Sequence, residues 1–210
     1  MIRRMTILIA LLLVTAFAVP AVAATQSPTD TIRNTVNAVM NILKKPEMND
    51  QAHKPELLRQ VEDHIKKIFD FTEFSARTVG PKWAQFTPDQ KARFEEAFAS
   101  LLRASYIEKL EGYKGEKVDF TNEILATKGN RAEVQSVLQM TDKSIPVAYR
   151  LLDKNNEWKV YDVRIENVSM VENYRGQLKD ILRKGSPEDL IKTVEEKALQ
   201  MKNENNVKAQ

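Results

Sequence analysis

The 210-residue chain is long enough for one domain with a sizeable core, or for two small domains sharing one. Its formal charge of +3 includes Arg3 and Arg4; without that pair bases and acids lie close to parity, which excludes a charge-driven binder of nucleic acid or another polyanion. Cysteine is absent, so neither a disulfide nor a thiol nucleophile is available and stability must come from packing.

Residues 1–23 read as an export signal. Arg3 and Arg4 form a positive start, Ile7 to Val19 an apolar run broken only by Thr15, and Ala21-Val22-Ala23 a small-residue cleavage site, with Val22-Ala23-Ala24 as an alternative. The run is shorter than the ~20 residues that span a bilayer, and Pro20 ends it, so cleavage near Ala23 is expected in place of anchoring. Lacking a lipobox cysteine, the mature chain is expected to be a soluble periplasmic protein, with one domain over residues 24–201.

Residues 24–29 read as a flexible leader, and Asp30 as the N-cap of a first helix with Ile32, Val36, Val39, Met40 and Leu43 on one stripe. A loop through Pro46 precedes a second helix carrying Leu57, Leu58, Val61, Ile65, Ile68 and Phe69. Phe69-Asp70-Phe71 leads on to Phe74, and Gly80-Pro81 ends that helical region. Thr87-Pro88-Asp89-Gln90 is a strong helix start: Thr87 caps, Pro88 takes the first helical position and Gln90 closes a capping box. The helix it opens carries Phe94, Phe98, Leu101, Leu102 and Ser105, with Tyr106 beside the stripe.

From Glu116 to Ile165 the chain reads as four strands. Val118 and Phe120 begin the first; Ala132, Val134, Ser136, Leu138 and Met140 alternate with polar residues in the second; Ile145, Val147, Tyr149 and Leu151 share a face of the third. Gly129-Asn130 and Asn155-Asn156 supply turns. The fourth strand, from Trp158, carries large side chains on both faces, so both are expected to meet something. Trp158, Val160 and Asp162 fall on one side and Tyr161, Val163 and Ile165 on the other. The period then changes to that of a helix bearing Met170, Tyr174, Leu178, Ile181 and Leu182. Ser186-Pro187-Glu188-Asp189 caps a final helix, and the polar tail from Lys202 to Gln210 is expected to be flexible. Helices, a meander of strands, then helices again indicate an α+β fold: an antiparallel four-stranded twisted sheet with helices on one face.

A buried Asp162 would demand a partner, and Arg175 is the charged residue of the following helix, so the two are expected to pair and fix that helix on the sheet. Catalytic chemistry is missing. His53 and His64 are the only near-neutral bases, and their spacing fits no helical metal motif. Ser169 lacks a nucleophile elbow, no phosphate-binding glycine loop exists, and adjacent acids such as Glu95-Glu96 diverge on a helix. No enzyme, metal or cofactor is expected.

Two segments carry a resemblance. Trp158-Lys159-Val160-Tyr161-Asp162-Val163, followed by Asn167-Val168-Ser169-Met170-Val171-Glu172-Asn173-Tyr174-Arg175, resembles the signature of the MlaC (toluene tolerance) family of periplasmic phospholipid carriers. Asn167 stands where the family has Gly and Met170 where it has Leu; Asn tolerates a positive φ, and Met conserves volume. The run Phe94-x-x-x-Phe98-x-x-Leu101-Leu102-x-x-x-Tyr106 is similar to the same family. The resemblance spans roughly Thr31 to Leu182.

It implies a deep apolar pocket between sheet and helices. Phe98, Leu102, Tyr106, Val147, Tyr149, Val160, Met170, Val171 and Tyr174 then become candidates for its lining, where the same residues would otherwise read as ordinary core. It also implies a monomeric carrier that takes phospholipid as cargo. That carrier would shuttle it between an inner-membrane ABC transporter complex, with its periplasmic substrate-binding component, and an outer-membrane lipoprotein–porin complex. Outer-membrane lipid asymmetry would thereby be maintained, and the carrier would bind no nucleotide itself. The headgroup is expected to stay in solvent, with weak selectivity and no strong anion site. An alternative reading is a periplasmic adaptor or chaperone that holds protein segments in an apolar groove.

Overall fold

The computed structural model describes residues 26–111, 113 and 115–208. The expected export signal lies outside them. Helix α1 (Pro28–Leu43) is capped by Ser27, whose side chain accepts from the Asp30 backbone N–H, with Pro28 at the first helical position. Asp30 therefore sits in the first turn and is not the cap; Pro28 moves the start three residues earlier by supplying a preset φ where no N–H is needed. Helix α2 (Lys54–Ile68) follows a short 3-10 turn at Pro46–Asn49.

The stretch expected to continue α2 instead breaks. Phe69 is extended, and Asp70 caps a separate helix α3 (Phe71–Val79) by accepting from the Glu73 N–H. Helix α4 (Pro88–Glu111) opens on the expected capping box: Gln90 N donates to Thr87 Oγ1 at 3.2 Å, and Thr87 N donates to Gln90 Oε1 at 3.1 Å.

The sheet is an antiparallel meander in the order β1 (Lys117–Leu125), β2 (Arg131–Gln139), β3 (Ser144–Lys154), β4 (Glu157–Ile165), β5 (Val168–Ser169). It has five strands among the described residues, one more than the sequence indicated, because Val168 and Ser169 turn back onto Ile165 and Arg164. The turn that returns them holds Glu166 at φ 49° and Asn167 at φ 65°, so asparagine carries the left-handed conformation that glycine would. Asn155 and Asn156 do the same in the preceding hairpin, at φ 57° and 65°.

Two register shifts decide what each face carries. Between β3 and β4, Arg150 pairs with Asp162 and Leu151 with Val160, which leaves Tyr161 unmatched as a bulge. Val160 and Asp162 therefore point to opposite faces, correcting the alternation expected along this strand. Val160, Val163 and Tyr149 go to the face covered by α1, while Tyr161, Asp162 and Arg150 go to the other. A second bulge at Thr121 turns Glu123 toward α1, where its Oε2 accepts from the Thr29 N–H at 2.8 Å.

Helices α5 (Met170–Gln177), α6 (Lys179–Lys184) and α7 (Pro187–Lys208) complete the chain. The single helix expected from Met170 to Leu182 is interrupted at Leu178. Residues 202–208, expected as a flexible tail, are helical. The α7 helix lies along α4, and Asn205 Nδ2 donates to the Ala104 carbonyl at 2.8 Å, so the polar end is tied down by its neighbour. Among the described residues the apolar interior forms three clusters. The largest joins α3, α4, α5 and α7 around Phe74, Phe94 and Phe98. The second packs Ile32 of α1 on Ala132, Val134, Leu151 and Val160, and the third ties α1 to α2. Phe69 touches both of the first two.

Glu166 is the residue least suited to its conformation, since a left-handed backbone costs an ordinary side chain about 1–2 kcal/mol. Glu166→Asn is expected to raise the melting temperature by about 2–4 °C, followed by circular dichroism, because one kcal/mol moves a domain of this size by that much. No shift, or a fall, would mean that the Glu166 side chain contributes something the turn geometry does not show.

Candidate binding cavity

A cavity of about 230 Å³ lies between α2 and α4. Its floor is apolar: Ile65, Phe69 and Phe71 from the α2–α3 junction, Leu102 and Tyr106 from α4, and Met170 at the start of α5. Its rim is charged, with Glu62 and Lys66 from α2 facing Glu96, Ser100 and Arg103 from α4. Helical spacing explains both. Glu62 and Lys66 are one turn apart, as are Glu96 and Ser100, so each pair stands on one flank of its helix. Arg103 Nε meets Glu62 Oε1 at 2.7 Å across the opening.

Of the nine residues the resemblance nominated, Leu102, Tyr106 and Met170 line this cavity. Phe98, Val171 and Tyr174 belong to the helical core, where Phe98 stacks edge-on against Tyr174 at 5.1 Å. Val160 is buried under α1. Val147 and Tyr149 lie half-buried on the same sheet face, away from the described cavity. Sequence reasoning missed the α2 side altogether. Ile65 and Phe69 were on the stripe read as core, and the further signal was Glu62 and Lys66 beside them, but a charged flank on an amphipathic helix ordinarily means solvent.

The tyrosines are wall and support, not acids. Removal from water pushes the Tyr106 phenol up, with Tyr174 adding to the effect. Tyr174 is raised by the same loss of water, offset by the Ser105 hydroxyl to which its own hydroxyl donates at 3.1 Å. Burial likewise raises Tyr149 against the pull of Ser136. All three stay neutral at physiological pH. Among the described residues no group of His, Asp or Glu is placed to hold a metal ion.

Asp162 and Arg175 do not pair. Asp162 is 2% exposed and its carboxylate takes three donors: Ser169 Oγ at 2.7 Å, Val171 N at 3.2 Å and Arg150 Nη1 at 3.4 Å. It thus holds the first turn of α5, favourable for an anion at a helix N-terminus. Arg175 reaches the other way, donating to the backbone carbonyls of Arg77 and Thr78 at the end of α3. The sequence-based pairing failed because the Tyr161 bulge places Arg150 opposite Asp162. Each charge instead ties α5 to a different element.

An antiparallel open sheet, a helical body pinned to its last long strand and an apolar-floored cavity between helices define an α+β class with a built-in pocket. The chain belongs to the MlaC family, whose model (MlaC protein) matches residues 33–196. It is 26% identical over 187 residues to the toluene tolerance protein ttg2D of Pseudomonas putida, covering 88% of this chain and 86% of that one. It is 24% identical over 129 residues to the intermembrane phospholipid transport system binding protein MlaC of Haemophilus influenzae, covering 60% of each. Among solved structures it resembles the phospholipid-binding protein of Ralstonia solanacearum in complex with a phospholipid. That likeness has a TM-score of 0.76 and 24% identity over 84% of this chain and 99% of the other.

Asp162→Ala would leave Ser169, Arg150 and the Val171 N–H facing an empty site and is expected to cost about 2–4 kcal/mol. Arg175→Ala removes two backbone caps and should cost about 1–2 kcal/mol. With no shared partner, the two losses should add to within about 0.5 kcal/mol in urea unfolding. A coupling well above that would restore the direct pair.

Proposed function

We propose that this protein is a periplasmic carrier of glycerophospholipids. It would exchange them between an inner-membrane ABC transporter complex, with its substrate-binding component, and an outer-membrane lipoprotein–porin complex, and so maintain lipid asymmetry. The observation that carries the reading is the cavity itself: an aromatic and aliphatic floor under a charged rim, in a fold shared with a protein that holds a phospholipid. No enzymatic step is invoked.

The physical need for such a carrier follows from hydration. Each methylene withdrawn from water is worth about 0.8 kcal/mol, so two chains of roughly 15 methylenes cost on the order of 20 kcal/mol to expose. A dry pocket offers the chains an environment close to that of the bilayer, and transfer becomes nearly balanced in free energy. The cavity as it stands is smaller than the roughly 300–1,000 Å³ that holds a drug-sized molecule. A full lipid load therefore requires α2 and α4 to move apart.

Organic extraction of the purified, folded protein followed by mass spectrometry is expected to yield glycerophospholipid at up to stoichiometric amounts; a clean extract from folded protein would remove the proposal. Copurified peptide in place of lipid would favour an adaptor that grips protein segments. Two variants separate wall from core. Ala99→Trp is expected to abolish lipid recovery with little change in melting temperature, since it fills the cavity. Phe98→Ala is expected to cost about 3–5 kcal/mol of stability while the remaining folded protein still carries lipid.

A further inference from the structure

We propose that the rim of the cavity contains a phosphodiester subsite formed by Arg103 and Lys66, with Glu62 as the residue that positions Arg103. This rests on the carrier reading above and specifies which part of the lipid the protein grips besides its chains. Glu62 is drawn inward, its side chain 15% exposed, while that of Arg103 is 59% exposed. The contact between them uses Arg103 Nε, at 2.7 Å from Glu62 Oε1. An arginine presents a planar fork of N–H donors, the geometry that matches two oxygens of a phosphate. Arg103 pairs with Glu62 by proximity of charge and stays largely exposed at the lip of an apolar pocket, where its guanidinium remains open to an anion.

Lys66 stands one turn beyond Glu62 on the same helix and lines the same cavity. The described residues give it no ion pair or hydrogen bond, unlike Arg59, Arg93 and Arg103 of the same two helices, each of which holds a carboxylate. A lipid whose chains enter over Phe69, Leu102 and Met170 leaves its phosphate at this rim. There one ammonium and one fork of N–H donors are available to it. The alcohol beyond the phosphate projects into solvent. Phosphate is common to all glycerophospholipids, so the subsite selects them as a class, against diacylglycerol, with little preference among headgroups.

Binding of pyrene-labelled phosphatidylcholine and of the diacylglycerol with the same chains tests this directly, using delipidated mature protein. The wild type is expected to bind the phosphatidylcholine at least about tenfold more tightly, as two charge-assisted contacts imply. Arg103→Gln with Lys66→Gln should erase that ratio by weakening the phospholipid alone, with the diacylglycerol affinity of the folded protein unchanged. Glu62→Gln should lower the same ratio by a smaller factor, an effect that loss of wall structure, acting on both probes alike, would not produce. Equal weakening of both probes, or no change in either, overturns the subsite while leaving the carrier reading intact. Failure of the wild type to bind either probe overturns both. Excess inorganic phosphate should not displace the phosphatidylcholine; displacement would mark a site for the free anion and overturn the assignment to lipid.

Discussion

A carboxylate that is almost wholly out of water has to be satisfied, and in this fold the way Asp162 is satisfied determines where the helices stand. Burying an ion without partners costs several kcal/mol, so the position is tolerated only with donors in place. Those donors come from three sources: the side chain that caps α5, a backbone N–H in its first turn, and an arginine of the neighbouring strand. The result is a joint between β4 and α5. From that joint the remaining helices follow, because α5 carries Val171 and Tyr174 into the cluster around Phe98, and Arg175 closes the end of α3. Met170 is placed at the cavity by the same turn that Asp162 holds.

The aromatic interior serves two purposes that pull against each other. Phe74, Phe94 and Phe98 are fully buried and interlocked at centroid distances of 5.1–5.4 Å, as a rigid core requires. A few ångströms away Phe71, Leu102 and Tyr106 border empty volume, which costs stability in proportion to its size. The strain is contained by layering. Residues of α4 that face α3 and α7 are dense and unyielding; those on the flank facing α2 are not, and α2 is held to the rest chiefly through α1 and the sheet. The compliant seam is therefore separate from the structural one.

Much of this was legible in the residues. Capping signals at Thr87 and Ser186, the asparagine turns, the order of elements and the family itself could be read directly, because each rests on local chemistry or on a specific string. What escaped notice depended on pairings across the sheet. One unmatched residue, Tyr161, reverses the faces of its neighbours, and no period in the sequence announces it. The break at Phe69–Asp70 was hidden because the apolar stripe of α2 runs straight through it. The site was half legible: Leu102, Tyr106 and Met170 lay on recognised motifs, whereas the α2 wall looked like an ordinary solvated flank. Val160 and Phe98 carried the same motif signal as the lining residues and turned out to be core, since a motif marks constraint without saying on which side of a wall the constraint acts.

The break between α2 and α3 has one more effect. Asp70 N donates to the Val160 carbonyl at 2.8 Å, and Phe69 lies parallel to that strand as a single bridge. Together with β5, which covers the other end, it occupies the outer border of β4, where unpaired backbone groups would otherwise be open to a foreign strand. A carrier of the proposed kind would uncover greasy surface to load and unload, and would be at its most sticky while doing so. Covering part of the ladder on the side next to the cavity would then leave less template for chains to zip together at that moment.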